Sequence, residues 1–174
     1  AMLAAVGAQD VLISYSIVGG AIEQVVGLGK SHPQMNLSVI ADDAGALRAL
    51  SAACVEVGTD LGVYVDLNTG MDRTGVLPGP ASLELARLIQ ELPGLRFEGL
   101  HAYDGHVSEP ERAAREATTN AAIQKAVEAR ALIEGAGLEV RNLIASGSPG
   151  FEFTAHVPGV DEVSPGTWVL WDTG

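Results

Sequence analysis

Cysteine, aromatic residues, positive charge and long apolar runs are all scarce in this sequence. The one thiol, Cys54, has no partner for an internal disulfide, so cross-links do not hold the fold, which fits a reducing, cytoplasmic setting. Ten Lys and Arg stand against 22 Asp and Glu, for a formal net charge of −12. Such a field repels phosphate backbones, so nucleic acid is not an expected partner. A small anionic cofactor stays compatible with it, because backbone amides and one arginine suffice to hold a phosphate. No apolar run reaches the roughly 18 residues of a membrane span. The start has no basic segment ahead of an apolar one, so no signal peptide is expected.

What is present is a chain of 174 residues, 47% apolar, with 21 glycines. That length suits one domain with a sizeable core. Ala, Val, Leu and Ile combined with many glycine turns point to an α/β protein. The apolar pattern predicts strands at Val11–Val18, Asn36–Ala41, Leu61–Leu67, Arg96–Tyr103, Arg141–Ser146 and Thr167–Trp171. Helices are predicted over Ala21–Gly29, from a cap at Asp42 or Asp43 to Val57, over Ala81–Glu91, and from a Ser108 cap to Glu134. Gly147–Ser164 is expected to be mostly loop. Strand and helix alternate without a linker, and the crossovers are too long for hairpins, which is the pattern of parallel βα units.

Two closures fit that pattern: an open doubly wound sheet or part of an eight-stranded barrel. A complete barrel takes about 250 residues and eight strands. Ala1–Val6 read as the tail of a helix with Gly7 as its C-cap. The expectation is therefore an incomplete (β/α) TIM-type barrel of about six units, with the N-terminal units absent.

Chemistry in a parallel barrel sits at the C-terminal ends of strands. Three ends here are polar or glycine-rich. Asp66–Val76 places charges and two glycines directly after a buried strand; on spacing alone, Asp66 or Asp72 pairs with Arg73. Gly99–His106 holds His101, Tyr103, Asp104 and His106, a set suited to acid–base work or metal binding. His101 reads as a buried, hydrogen-bonded histidine, and His106, past the strand end, as either a functional or a surface residue. Ala145–Phe151 runs from a strand into Ser146, Gly147, Ser148 and Gly150, whose amides and hydroxyls suit a phosphate, although Pro149 lacks a donor. Gly166 allows close approach of backbone to a ligand or simply a turn. Trp168 and Trp171 are expected on opposite faces of the last strand.

In order, these segments resemble the alanine racemase N-terminal-type barrel of fold-type III pyridoxal-phosphate enzymes. The likeness covers nearly the whole chain and is strongest to the D-threonine aldolase and D-serine dehydratase branch. VDLNTGMDRTGV (Val65–Val76) is similar to a strand-to-loop motif ending in G-M-x-R-x-G. GLHAYDGH (Gly99–His106) resembles G-L-x-A-Y-x-G-H, and IASGSPGFEF (Ile144–Phe153) resembles a glycine-rich phosphate segment. EVSPGTWVLWD (Glu162–Asp172) is similar to E-x-x-P-G-x-Y-x-x-x-D, with Trp168 in place of the usual Tyr.

The resemblance implies pyridoxal 5′-phosphate as cofactor and a D-amino acid as substrate, with a D-3-hydroxy amino acid aldolase as the leading activity. Dehydratase and racemase are the neighbouring alternatives. It sets Arg73 toward the pyridine nitrogen and Ser146, Gly147, Ser148, Gly150 and Gly166 around the phosphate. Tyr103 and His106 would sit near cofactor or substrate hydroxyl, with His106 as a base or near a metal. It also implies a homodimer in full-length form, and a divalent metal held by a C-terminal β domain that is not in this chain. The family's cofactor-bonding lysine lies at the end of the first barrel strand, before anything present here; Lys30 and Lys125, the only lysines, match no motif. The chain by itself is therefore expected to be inactive. Two remoter readings are a metal-dependent hydrolase with His101, Asp104 and His106 as ligands, and a non-catalytic protein that keeps the phosphate site.

Overall fold

The computed structural model describes residues 2–167. In chain order its elements are α1 (Met2–Ala5), β1 (Asp10–Ser16), α2 (Ala21–Ser31), β2 (Asn36–Ala41), α3 (Ala44–Val57) and β3 (Leu61–Asp66). They continue with α4 (Pro80–Glu91), β4 (Leu95–Ala102), α5 (Arg112–Gly135), β5 (Asn142–Ala145), α6 (Phe151–Thr154) and β6 (Glu162–Val163). The six strands lie in one sheet in chain order, and every neighbouring pair is parallel. Helical crossovers return the chain to the same sheet end each time, so all strand C-termini share one rim. The result is an incomplete (β/α) TIM-type barrel, as the strand–helix alternation predicts.

Strand alternation splits the apolar residues between two faces. Leu37, Val39, Val63, Val65, Leu100 and Leu143 belong to the large core shared with Leu47, Ile89, Ile123 and Ile133 of the helices. The other face carries a small inner cluster of Ile40, Tyr64 and Ile144, with Leu12 against it. Strands β2 to β5 are buried over most of both faces, and the inner face also carries the buried polar residues Ser38, Asp66, Glu98 and His101.

Local chemistry fixes the element ends. Asp43 caps α3 by accepting from the Ala46 amide at 2.8 Å, and Gly58, at φ +70°, closes that helix in the left-handed region. Asp42 instead accepts from the Gly75 amide at 2.8 Å and from the Ser16 hydroxyl at 3.3 Å, tying the rim together. Gly99 sits at φ +152°, where the β3–β4 register slips by one residue; a Cβ there would fall 1.9 Å from the Asn142 carbonyl oxygen.

Two expectations on element boundaries change. The cap of α5 is Glu111, whose carboxylate accepts from the amides of Ala113 at 2.7 Å and Ala114 at 3.4 Å; Ser108 lies before the cap, its backbone amide donating to the Glu109 carboxylate at 3.1 Å. A longer acidic side chain reaches the first-turn amides as well as a serine does, and its charge meets the positive helix end. The segment Gly147–Ser164 contains α6 and β6, so the sixth strand is Glu162–Val163. Most of the Thr167–Trp171 strand, with Trp168 and Trp171, lies outside the described residues. Among the described residues, no helix is long and apolar enough to cross a membrane.

Candidate cofactor site

The rim gathers the ends of β1, β3, β4 and β5. At the end of β3, Asp66 is buried and is the register partner of His101 on β4. His101 Nδ1 lies 2.7 Å from Asp66 Oδ1, and the Thr74 hydroxyl donates to Asp66 Oδ2 at 2.8 Å. The expected pairing of Arg73 with Asp66 or Asp72 does not form. Asp66 is saturated by His101 and Thr74, and Asp72 accepts from the Asn68 side-chain amide at 2.9 Å. Asn68 also accepts from the Gly70 and Asp72 amides, both at 3.1 Å, which holds Asp72 at φ +54°.

Arg73 turns to aromatic rings instead. Its guanidinium carbon lies 5.0 Å from the Tyr103 ring centroid and 5.8 Å from that of Tyr15. Among the described residues, no carboxylate pairs with it. Tyr15, the penultimate residue of β1, carried no sequence motif; its place at a strand C-terminal end is the one signal that could have singled it out.

The Tyr103 ring also fills the space two glycines leave. A Cβ at Gly105 would fall 2.2 Å from Tyr103 Cε1, and one at Gly147 would fall 2.8 Å from Tyr103 Cε2. His106 packs over Gly70 in the same way: a Cβ there would lie 2.9 Å from His106 Nε2. Among the described residues, the buried His106 Nδ1 has no hydrogen-bond partner, nor do the hydroxyls of Thr69 and Thr119. The rim thus joins Arg73, Tyr103, His106 and the turn after β5, while His101 faces Asp66.

The turn after β5 starts from Ser146 at φ +76°, a left-handed position for a non-glycine residue. Asp104, fully buried, accepts from the Gly147 amide and from the Ser146 hydroxyl, the latter at 3.3 Å. Burial pushes the Asp104 carboxyl above its ordinary range, and the Gly147 and Ser146 hydrogen bonds offset part of that push. Ser148 accepts from the Thr167 amide at 3.1 Å and hydroxyl at 2.6 Å, so its oxygen is directed to the chain's next rim segment. Gly166 has open space where a Cβ would stand.

A planar, phosphorylated cofactor fits this rim. Arg73 offers a cation that pairs with no carboxylate among the described residues, the Tyr103 ring beneath it offers a flat face, and the glycines at 70, 105 and 147 let His106 and Tyr103 pack close against the rim loops. Within the turn, the Gly147 amide is already committed to Asp104, which leaves the N–H groups of Ser148 and Gly150 as its donors for a phosphate. Neither lysine joins the rim cluster. Lys30 donates to the Gly58 carbonyl at 3.5 Å, and Lys125 to the Thr69 carbonyl at 3.0 Å. Among the described residues, no three His, Cys, Asp or Glu side chains are arranged to hold a metal ion. The set His101, Asp104 and His106 does not converge, because the first two are turned to Asp66 and to Gly147.

Residues 25–173 match the sequence profile of the alanine racemase N-terminal domain. The chain is 31% identical over 169 residues to a D-threonine aldolase of Arthrobacter sp., covering 97% of this chain and 44% of that protein. It is 30% identical over 170 residues to a 3-hydroxy-D-aspartate aldolase of Paracoccus denitrificans, covering 95% of this chain and 43% of that one. The crystal structure of D-threonine aldolase from Filomicrobium marinum superposes with a TM-score of 0.89 at 29% identity, over 95% of this chain and 45% of that chain. The chain thus spans less than half the length of the relatives it matches.

Proposed function

The chain belongs to the alanine racemase N-terminal domain family, and on that premise we propose that it forms the cofactor-holding half of a pyridoxal-phosphate enzyme that cleaves D-3-hydroxy amino acids. The observation that carries this reading is Arg73, which lies over the Tyr103 ring beside the glycine-lined turn after β5. The two aldolase relatives support the same substrate class.

When bound, pyridoxal phosphate supplies an electron sink for charge that develops at the substrate Cα. The residues of this chain hold and orient it. Ser146, Gly147, Ser148, Gly150 and Gly166 surround the phosphate, with Ser148 and Gly150 as donors. Tyr103 forms a wall of the site. Arg73 would hold the cofactor from the side of its pyridine nitrogen, offering a cation to an electron-rich edge. His106 is assigned as the group that takes the proton of the substrate 3-hydroxyl as the Cα–Cβ bond opens. A divalent cation, if one assists, is assigned to the C-terminal β domain of the full-length enzyme. The assembled enzyme is assigned as a cytoplasmic homodimer.

The test is a product assay of the protein that carries this chain, with pyridoxal phosphate and D-threonine. Release of glycine and acetaldehyde is expected. Release of 2-oxobutanoate and ammonia would reassign it as a dehydratase, and interconversion of D- and L-alanine as a racemase. Failure to bind pyridoxal phosphate under saturating conditions would sink the reading altogether.

A further inference from the structure

Asp104 sits beneath the turn after β5, and nothing in its motif assigns it a role. It is fully buried, and it is a carboxylate rather than the apolar residue such a place favours. Both of its oxygens are used on one short segment. Oδ1 accepts from the Gly147 amide and Oδ2 from the Ser146 hydroxyl. A Cβ at Gly150 would fall 2.5 Å from Asp104 Oδ2 and 2.7 Å from the Thr119 hydroxyl, so the far end of the same turn also rests against this carboxyl. Ser146, in the left-handed region at φ +76°, needs outside contacts to persist there. These are its amide donating to the Ala102 carbonyl at 2.9 Å, its hydroxyl proton within reach of both Asp104 and the Gly147 carbonyl, and its carbonyl accepting from the Ser164 hydroxyl at 3.1 Å.

We propose that Asp104 is a positioning residue that sets the shape of the anion-binding turn Ser146–Gly150 from below. This rests on the reading of that turn as the phosphate site. The carboxyl takes the Gly147 amide out of the set of phosphate donors and fixes the direction of the next ones, on Ser148 and Gly150. Without it, Ser146 loses a contact that holds its left-handed backbone, and the turn relaxes. Asp104 touches no substrate in this scheme; it acts through the backbone it holds.

Binding of pyridoxal phosphate, pyridoxal and inorganic phosphate, followed by fluorescence titration and competition, separates the two claims. If the turn is the phosphate site, the unaltered protein binds pyridoxal phosphate far more tightly than pyridoxal; equal affinities would remove the cofactor reading itself. Asp104→Ala is then expected to weaken pyridoxal phosphate and inorganic phosphate by roughly tenfold or more, the scale of a lost charge-assisted hydrogen bond, and to leave pyridoxal unchanged. Asp104→Asn keeps an acceptor for the Gly147 amide and is expected to stay within about threefold of the parent. If the alanine variant does not fold, Asp104→Ser, one atom too short to reach Gly147, should show the same phosphate-selective loss. Equal losses for pyridoxal and pyridoxal phosphate, or no loss in either short variant, would overturn the proposal.

Discussion

His101 Nδ1 lies 2.7 Å from Asp66 Oδ1, and both side chains are almost entirely out of solvent, at 7% and 3% exposure. The contact joins the ends of β3 and β4 and, through the Thr74 hydroxyl, the loop that carries Arg73. Asp66→Ala strands both His101 and Thr74, so a loss of about 3 kcal/mol in unfolding free energy is expected. Urea denaturation measures it, and a loss below about 1 kcal/mol would show the pair to be structurally idle.

Arg73 should depend on its two rings in unequal measure. Tyr103 is nearer, at 5.0 Å against 5.8 Å for Tyr15, and it is less exposed. Desolvated cation–π contacts are stronger than exposed ones. Tyr103→Ala is therefore expected to reduce pyridoxal phosphate affinity more than Tyr15→Ala does, in the same titration. The reverse order would mean that Arg73 is held from the β1 side.

Gly99 tests the fold apart from the site. Its φ of +152° and the Asn142 carbonyl oxygen, which would lie 1.9 Å from an added Cβ, leave no room for a side chain. Gly99→Ala must break the β4–β5 register or push the strands apart, at a cost of about 4 kcal/mol or outright failure to fold. Circular dichroism melts would report it; a melting temperature equal to the parent's would contradict the bulge at this position.

The Asp104 carboxyl gives stability a pH dependence of defined sign. Its folded pKa is raised, so the folded chain binds more protons than the unfolded one between the ordinary carboxylate value and the raised one. Stability from this group therefore falls as pH rises through that window. The groups facing it are His106, the Ser146 hydroxyl, the Gly147 amide and Thr119 on α5. Asp104→Asn should flatten this part of the profile in urea midpoints taken across acidic to neutral pH. An unchanged slope would place the titration elsewhere.

Cys54 is buried on α3, and burial pushes its thiol up to about 11. It should resist an aromatic disulfide reagent at neutral pH until the chain is unfolded. Fast labelling of the folded protein would show that α3 opens locally.

Local pattern and tertiary contact part company at the same few residues. Helix periodicity, capping and glycine placement are local, and they located β2 residue for residue, Asp43 or its neighbour as the α3 cap, and Gly58 as its end. Spacing then coupled Arg73 to the nearest carboxylates, because sequence distance is the only distance a sequence shows. It also chose Ser108 over Glu111 as a cap, since side-chain reach is decided by the path of the incoming chain. Tyr15 was passed over because nothing near it in sequence hints at Arg73.

The sequence by itself determined the alternation of strand and helix and the polar strand ends where chemistry gathers, since these rest on patterns within a few residues, and it determined the parallel sheet because crossovers of that length cannot be hairpins. Which of those polar groups meet was left to the tertiary structure. Asp66 reaches a histidine 35 residues away because β3 and β4 pair in a register that sets the two side by side, bulge included. That left Arg73 without a carboxylate among the described residues, and the curl of the sheet brought within reach of it both Tyr15 on β1 and Tyr103 just past β4, two strands not adjacent in the sheet.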